Sequence, residues 1–193
     1  MTYNYLIAGV GGQGTVLASK LIAAAAMKRG FDVRTTETIG MAQRGGSVVS
    51  HVRIGDVIHS PLIPSGSAHA LIAFEPAEAV RFLPFLSVQG KLIVCDNAVK
   101  PVAEPGAAPY EEAAIVDFLK NSVPGSVVVR GQPLKEQCGK TLNVALLGLA
   151  AQSGVFPFDI EAIREAIAEM PRFREENLAS FELGRRVYHE SVG

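Results

Sequence analysis

Residues 9–14, Gly-Val-Gly-Gly-Gln-Gly, constrain this chain more than any other stretch. They follow an apolar run and precede a segment rich in Ala and Leu. Asn4–Val10 is therefore expected to be a buried strand and Thr15–Arg29 a helix, which Gly30 ends because glycine accepts the positive φ that follows a helix. Gly9, Gly11 and Gly14 fit G-x-G-x-x-G at a strand-to-helix turn. There glycine permits a tight bend, and the helix start offers unpaired N–H groups to an anion. The turn accommodates either a phosphate-bearing ligand or simply close strand–helix packing. In a dinucleotide site an acidic residue near the end of the next strand binds the ribose, and Glu37, 23 positions after Gly14, is the candidate. No Lys-Ser/Thr pair follows the glycines, which excludes a Walker-type phosphate loop.

The rest of the chain alternates strand and helix signals. Strands are expected at about 32–38, completing a βαβ unit, and at 47–54, 70–74, 91–95 and 127–130. Gly55-Asp56 reads as a hairpin turn into Val57–His59, and 98–109, with its prolines, as a long surface loop. Helices are expected at Pro76–Phe82, 111–121, 141–152, 160–169 behind an Asp159 cap, and 176–190. Ile160, Ile163, Ile167 and Met170 make one apolar face. This pattern predicts one Rossmann-like three-layer α/β domain over 1–193, a mainly parallel sheet with helices on both faces.

Eighteen basic against nineteen acidic residues give a net charge of −1, so no bulk attraction to nucleic acid or anionic membrane is expected. No run reaches the ~18–20 apolar residues of a bilayer span, and no secretory signal opens the chain; the expected compartment is the cytoplasm. Cys95 and Cys138, 43 positions apart, are too few for a four-thiolate iron–sulfur cluster or a Cys-rich zinc site, and a reduced pair is expected. His51, His59, His69 and His189 show no metal-ligand spacing. Only His51, in the strand after the second glycine loop, is a candidate to face the crevice. Glu75 and Glu78 read as caps at a helix start, with an ion pair from Glu78 to Arg81. Arg172, Arg174, Arg185 and Arg186 sit among glutamates, as a solvated face or the rim of a partner contact. No nucleophile–base set stands out, so no catalytic residue and no metal ligand is assigned.

The second glycine loop, Gly40-Met41-Ala42-Gln43-Arg44-Gly45-Gly46, sets a guanidinium between flexible glycines on the side of the sheet where the first loop emerges. Arg44 fits bidentate binding of a phosphate or carboxylate, or pinning of its own loop to Glu37 or a carbonyl. With Gly9–Gly14 and Glu37, the run 40–47 resembles the gamma-type subunit of the 2-oxoacid:ferredoxin oxidoreductases, in particular the beta subunit of the indolepyruvate type. Val52-Arg53, Ser60–Ile63, Phe74-Glu75-Pro76, Glu78, Arg81, Asn143, Asn177, Ala179 and Gly184 extend the resemblance over nearly the whole chain, loosely between 98 and 137.

The resemblance implies oxidative decarboxylation of an arylpyruvate with coenzyme A, giving an acyl-CoA, CO₂ and reduced ferredoxin. It places thiamine diphosphate and 4Fe–4S clusters on a large partner subunit, leaving this chain without a cofactor of its own. Independently, the sequence lacks a Gly-Asp-Gly…Asn-Asn thiamine-diphosphate motif, since Gly55-Asp56 is followed by Val57. The isolated chain is then expected to be inactive. Gly9, Gly11, Gly12, Gln13, Gly14, Met41, Gln43, Arg44, Gly45 and Gly46 are the candidate binding residues, facing either the partner's active site or coenzyme A phosphates. Ferredoxin is met through the complex, and a homodimer of this chain is compatible with the sequence. Two rival readings are a stand-alone NAD(P)-binding oxidoreductase using Glu37 and a non-enzymatic partner domain.

Overall fold

The computed structural model describes residues 1–40, 45–100 and 109–192. Six strands form one sheet: β1 (Thr2–Val10), β2 (Asp32–Ile39), β3 (Ser47–Gly55), β4 (Ala68–Ala73), β5 (Leu86–Cys95) and β6 (Val127–Val129). Their order is β2-β3-β1-β4-β5-β6. The pairs β1–β4, β4–β5 and β5–β6 are parallel, whereas β3 runs antiparallel to both β1 and β2. The sheet is thus mainly parallel, as expected, with one antiparallel strand inside it. The expected βαβ unit is consequently split: β2 runs in the direction of β1, but β3 lies between them.

Helices cover both faces. Alternation along β1 makes the division visible, with Tyr5 and Ile7 in one apolar cluster and Leu6 and Ala8 in the other. The first cluster is roofed by α1 (Thr15–Lys28), α4 (Gly131–Cys138), α5 (Leu142–Gln152), α6 (Ile160–Ala168) and α7 (Arg174–Val192). Beneath the second lie α2 (Pro76–Phe82) and α3 (Glu112–Ser122). Among the described residues no helix is long and apolar enough to cross a membrane.

Several ends form for the reasons their sequence suggests. Gly30 takes φ 82° behind α1. The Asp159 carboxylate accepts the Ala162 N–H at 2.8 Å to open α6. That carboxylate and Glu165 also hold the Arg29 guanidinium at 2.8–3.1 Å, fastening the far end of α1. α5 and α7 approach through glycines: a Cβ on Gly148 would lie 2.0 Å from the Phe181 carbonyl oxygen, and one on Gly184 1.7 Å from that of Ala145.

Three expectations need correction. Val57–His59 forms no strand; the Ile58 N–H is instead taken by the Asp32 carboxylate at 2.9 Å. α4 was not anticipated, because Gly131 and Pro133 look like breakers, although both fall in its first turn where they are tolerated. His51 does not face a crevice. It sits mid-strand, pairs with Leu6 and Thr36, accepts the Ile63 N–H at Nδ1 (3.2 Å) and packs edge-on against Phe85. Burial lowers its pKa, and its contacts are those of a packing residue.

Candidate functional site

The carboxyl ends of β1, β4, β5 and β6 and the start of β3 share one edge of the sheet, where ligands bind in folds of this kind. Both glycine loops emerge there. The Gly11 N–H donates to the Gly46 carbonyl at 2.9 Å, tying the exit of the second loop to the first, and the Gly40 N–H donates to that of Ser47 at 2.9 Å, closing the ends of the second loop on each other. Met41, Gln43 and Arg44 lie outside the described residues, as does most of the expected 98–109 loop.

The first loop is shaped from within. Gly12 and Gly14 take φ 94° and 81°, a region that penalises a Cβ. Gln13 bends inward: Oε1 accepts the Val10 N–H at 2.8 Å, and Nε2 donates to the Phe74 carbonyl at 3.1 Å. Its amide therefore braces the turn. Asn143, at the start of α5, donates from Nδ2 to the Gly14 carbonyl at 3.2 Å and fixes the loop from the other side. α1 then begins with no side-chain cap and no acidic residue in its first turn. Such a helix start favours an anion.

Two cavities open on either side of the loop and share Gly12, Gln13, Lys140 and Asn143. One, of about 630 Å³, is lined by Gly11, Gly45, Phe74, Asn97, Lys135 and Leu142 among others, and no carboxylate among the described residues lines it. Lys135 and Lys140 are exposed and make no ion pair among the described residues. The second, of about 490 Å³, lies against Leu17, Cys138, Met170, Phe173, Glu176 and Asn177. Both volumes suit a small-molecule ligand. Burial raises the Cys138 pKa, and its Sγ donates to the Leu134 carbonyl at 2.9 Å, so it is no thiolate nucleophile. The buried Cys95 thiol is pushed up to about 12, chiefly by desolvation.

The rim is held by two buried carboxylates. Glu75 caps α2 by accepting the Glu78 N–H at 2.8 Å and also receives the Tyr110 hydroxyl. Glu78 receives the Ser47 hydroxyl and pairs with Arg81 at 3.1 Å. These contacts fasten the exit of the second glycine loop and the return of the chain into α3. Burial and the Glu75 carboxylate push the Tyr110 phenol pKa up.

Glu37 is not brought to the first loop. It pairs with Ser50, which pairs with Ile7, so a whole strand separates it from β1, about 10 Å at ordinary strand spacing. A ribose carboxylate belongs on the strand next to the glycine turn, and here that neighbour is β3. Lys135 and Lys140 escaped sequence reading altogether. They stand over 120 positions from the glycines, and only the packing of α4 and α5 against the loop brings them near.

Residues 4–187 match the family model described as pyruvate ferredoxin/flavodoxin oxidoreductase. The chain belongs to that family. It is 41% identical to the indolepyruvate oxidoreductase subunit IorB of Archaeoglobus fulgidus, over 100% of this chain and 96% of the relative. A keto/oxoacid ferredoxin oxidoreductase gamma subunit from Geobacter sulfurreducens shares the fold, with a TM-score of 0.69 at 24% identity over 97% of this chain and 99% of that one. A 2-oxoglutarate:ferredoxin oxidoreductase from Magnetococcus marinus, solved with 2-oxoglutarate, coenzyme A and succinyl-CoA, matches with a TM-score of 0.67 at 18% identity over 98% of this chain. There the matched part is 31% of a longer chain. The family's fold thus occurs both as a separate subunit and inside a larger polypeptide, and this chain matches relatives of the subunit form over nearly their whole length.

Proposed function

We propose that this chain is the small, cofactor-free subunit of a thiamine-diphosphate-dependent indolepyruvate:ferredoxin oxidoreductase, working in the cytoplasm as one gamma-type domain. In this reading a large partner subunit holds thiamine diphosphate and the iron–sulfur clusters. The complex decarboxylates an arylpyruvate, passes two electrons to ferredoxin and transfers the acyl group to coenzyme A. The carboxyl-edge crevice of this chain receives the phosphates of coenzyme A.

One observation carries the reading. The uncapped, acid-free start of α1 opens beside a cavity lined by Lys135 and Lys140 and, among the described residues, by no carboxylate. Backbone N–H groups and two ammonium groups converge there on space fit for a multiply charged anion. In this reading the chain's own residues bind and orient. Gln13 and Asn143 keep the turn rigid, so its N–H groups need not reorganise when the anion arrives. Arg44, on the second loop, adds a further cation in this proposal.

The test is reconstitution with the partner subunit. Lys135→Ala/Lys140→Ala should raise the KM for coenzyme A about tenfold or more while leaving the KM for the 2-oxoacid unchanged, because charge-assisted contacts are worth about 1.5–3 kcal/mol each. Arg44→Ala should lower turnover with little loss of fold. An unchanged coenzyme A KM in the double variant rejects the phosphate role. Copurification of the chain without any iron-bearing partner rejects the assembly.

A further inference from the structure

Glu78 is a carboxylate held out of water two contacts away from the glycine turn. It is 5% exposed, and its ion-pair partner, Arg81, has a side chain 61% exposed, so water screens that pair. A charge held in this way adds little to stability, but it is a strong and directional acceptor. What it accepts, besides Arg81, is the Ser47 hydroxyl. Ser47 follows Gly45 and Gly46, which have no side chains to restrict their backbone, and Gly45 sits at φ 72°. The hydroxyl of Ser47 is the first side-chain restraint on the chain after that pair.

The Gly46–Ser47 peptide is also where the two loops meet. Its carbonyl, on Gly46, accepts the Gly11 N–H at 2.9 Å. The other side of the turn leads back to the same helix. Gln13 Nε2 donates to the carbonyl of Phe74 at 3.1 Å, and Phe74 stands directly before Glu75, the cap of α2. The start of α2 therefore grips the turn twice, at Gly11 through Gly46, Ser47 and Glu78, and at Gln13 through Phe74. Between the two grips, the N–H groups of Gly12 and Gly14 have no backbone partner among the described residues. Donors of that kind serve an anion best when their direction is set in advance.

We propose that Glu78 is a positioning residue for coenzyme A: through the Ser47 hydroxyl it fixes the Gly46–Ser47 peptide, and that peptide fixes the glycine turn. The role rests on the reading of the turn as an anion site. Glu78 touches no ligand itself; it sets the direction of N–H groups that do. A second hydroxyl on the same helix start provides the contrast. Tyr110 donates to Glu75, which is 1% exposed, but no link of the path from Glu78 to Gly11 passes through Tyr110.

The experiment compares the two hydroxyl deletions in the complex with the partner subunit. Ser47→Ala should raise both the KM and the calorimetric Kd for coenzyme A about five- to tenfold. The KM for the 2-oxoacid and the turnover at saturating coenzyme A should stay within about twofold of wild type, the pattern of lost binding rather than lost chemistry. Ser47→Thr keeps a hydroxyl and should restore the wild-type values. Tyr110→Phe should lower the unfolding midpoint by about as much as Ser47→Ala, roughly 3–8 °C each, and leave coenzyme A unaffected. Equal coenzyme A shifts in both variants would mean that α2 acts through stability alone and would overturn the proposal, as would no shift in Ser47→Ala. Ser47→Cys, close in shape and a poor donor, replaces Ser47→Ala if that variant does not assemble. Lys135→Ala/Lys140→Ala, run alongside, separates this role from the anion reading. If the lysine variant weakens coenzyme A and Ser47→Ala does not, the positioning role falls and the anion site stands. If Ser47→Ala alone weakens it, the positioning role stands and the lysines are not the phosphate ligands. If neither does, both fall.

Discussion

Two sets of glycines do opposite jobs in this molecule. In the turn after β1, Gly12 and Gly14 are used for their backbone, which takes φ 94° and 81°; the space beside Gly12 is open. In the crossing of α5 and α7, Gly148 and Gly184 have helical neighbours on both sides and are used for what they lack. Each stands where a Cβ would fall within 2.0 Å or less of the other helix's carbonyl oxygen. Glycine costs a helix interior about 1 kcal/mol against alanine, yet here close approach outweighs propensity. The comparison separates two meanings of an unusual glycine: in the turn it permits a left-handed bend, and in the helices it lets one backbone rest on another.

The contrast is broken or sharpened by substituting each kind. Gly184→Ala should have the largest effect on the fold, a loss of about 3 kcal/mol in urea unfolding, because the obstructing atom is backbone and cannot swing away. A loss below 1 kcal/mol would show that the helices separate freely. Gly14→Ala comes next at about 2 kcal/mol, combining left-handed strain with a Cβ only 2.4 Å from Asn143 Nδ2, a side chain that can move. It should also weaken coenzyme A binding in the reconstituted complex. Gly12→Ala should cost about 1 kcal/mol by strain alone, yet impair coenzyme A kinetics at least as much as Gly14→Ala. If Gly12→Ala leaves kinetics untouched, the turn is no more than a packing device.

The smallest effect lies at the far end of α1. The Arg29 guanidinium and the Ala162 N–H hold the Asp159 carboxyl down at about 2, below its ordinary 3.8. A carboxyl lowered in the fold contributes stability that is complete above pH 4 and lost as pH falls through 2. Urea midpoints should therefore drop over that window in the wild type, and Asp159→Asn should flatten the drop slightly. An unchanged slope would mean that this exposed network contributes nothing measurable.

What could be read from the sequence was local. The glycine turn, the stop at Gly30, the Asp159 cap and the Glu75 cap with its Glu78–Arg81 pair all rest on residues within a few positions of one another, and all are present. What could not be read depended on distant pairing. β3 shows apolar residues at Val48, Val52 and Ile54, but Val49, Ser50 and His51 are buried too, because it is an interior strand covered on both faces. No periodicity reports that it would insert between β1 and β2, and that insertion moves Glu37 out of reach. The cavity tells the same story, since Lys135, Lys140 and Asn177 join the turn only through the packing of α4, α5 and α7.

The placement of β3 also dictates an order of events as the chain leaves the ribosome. In a simple βαβ unit the second strand docks beside the first as soon as it has been made. Here, among the described residues, β2 pairs with no strand but β3, so its pairing is not complete until Gly55 has emerged. For the time it takes to synthesise some sixteen more residues, roughly 1–3 s at ribosomal speed, β2 remains an incompletely paired segment rich in β-branched residues. Its Asp32, Arg34 and Glu37 are suited to that interval as well as to the finished edge, because charge keeps such a strand from pairing with a neighbouring nascent chain.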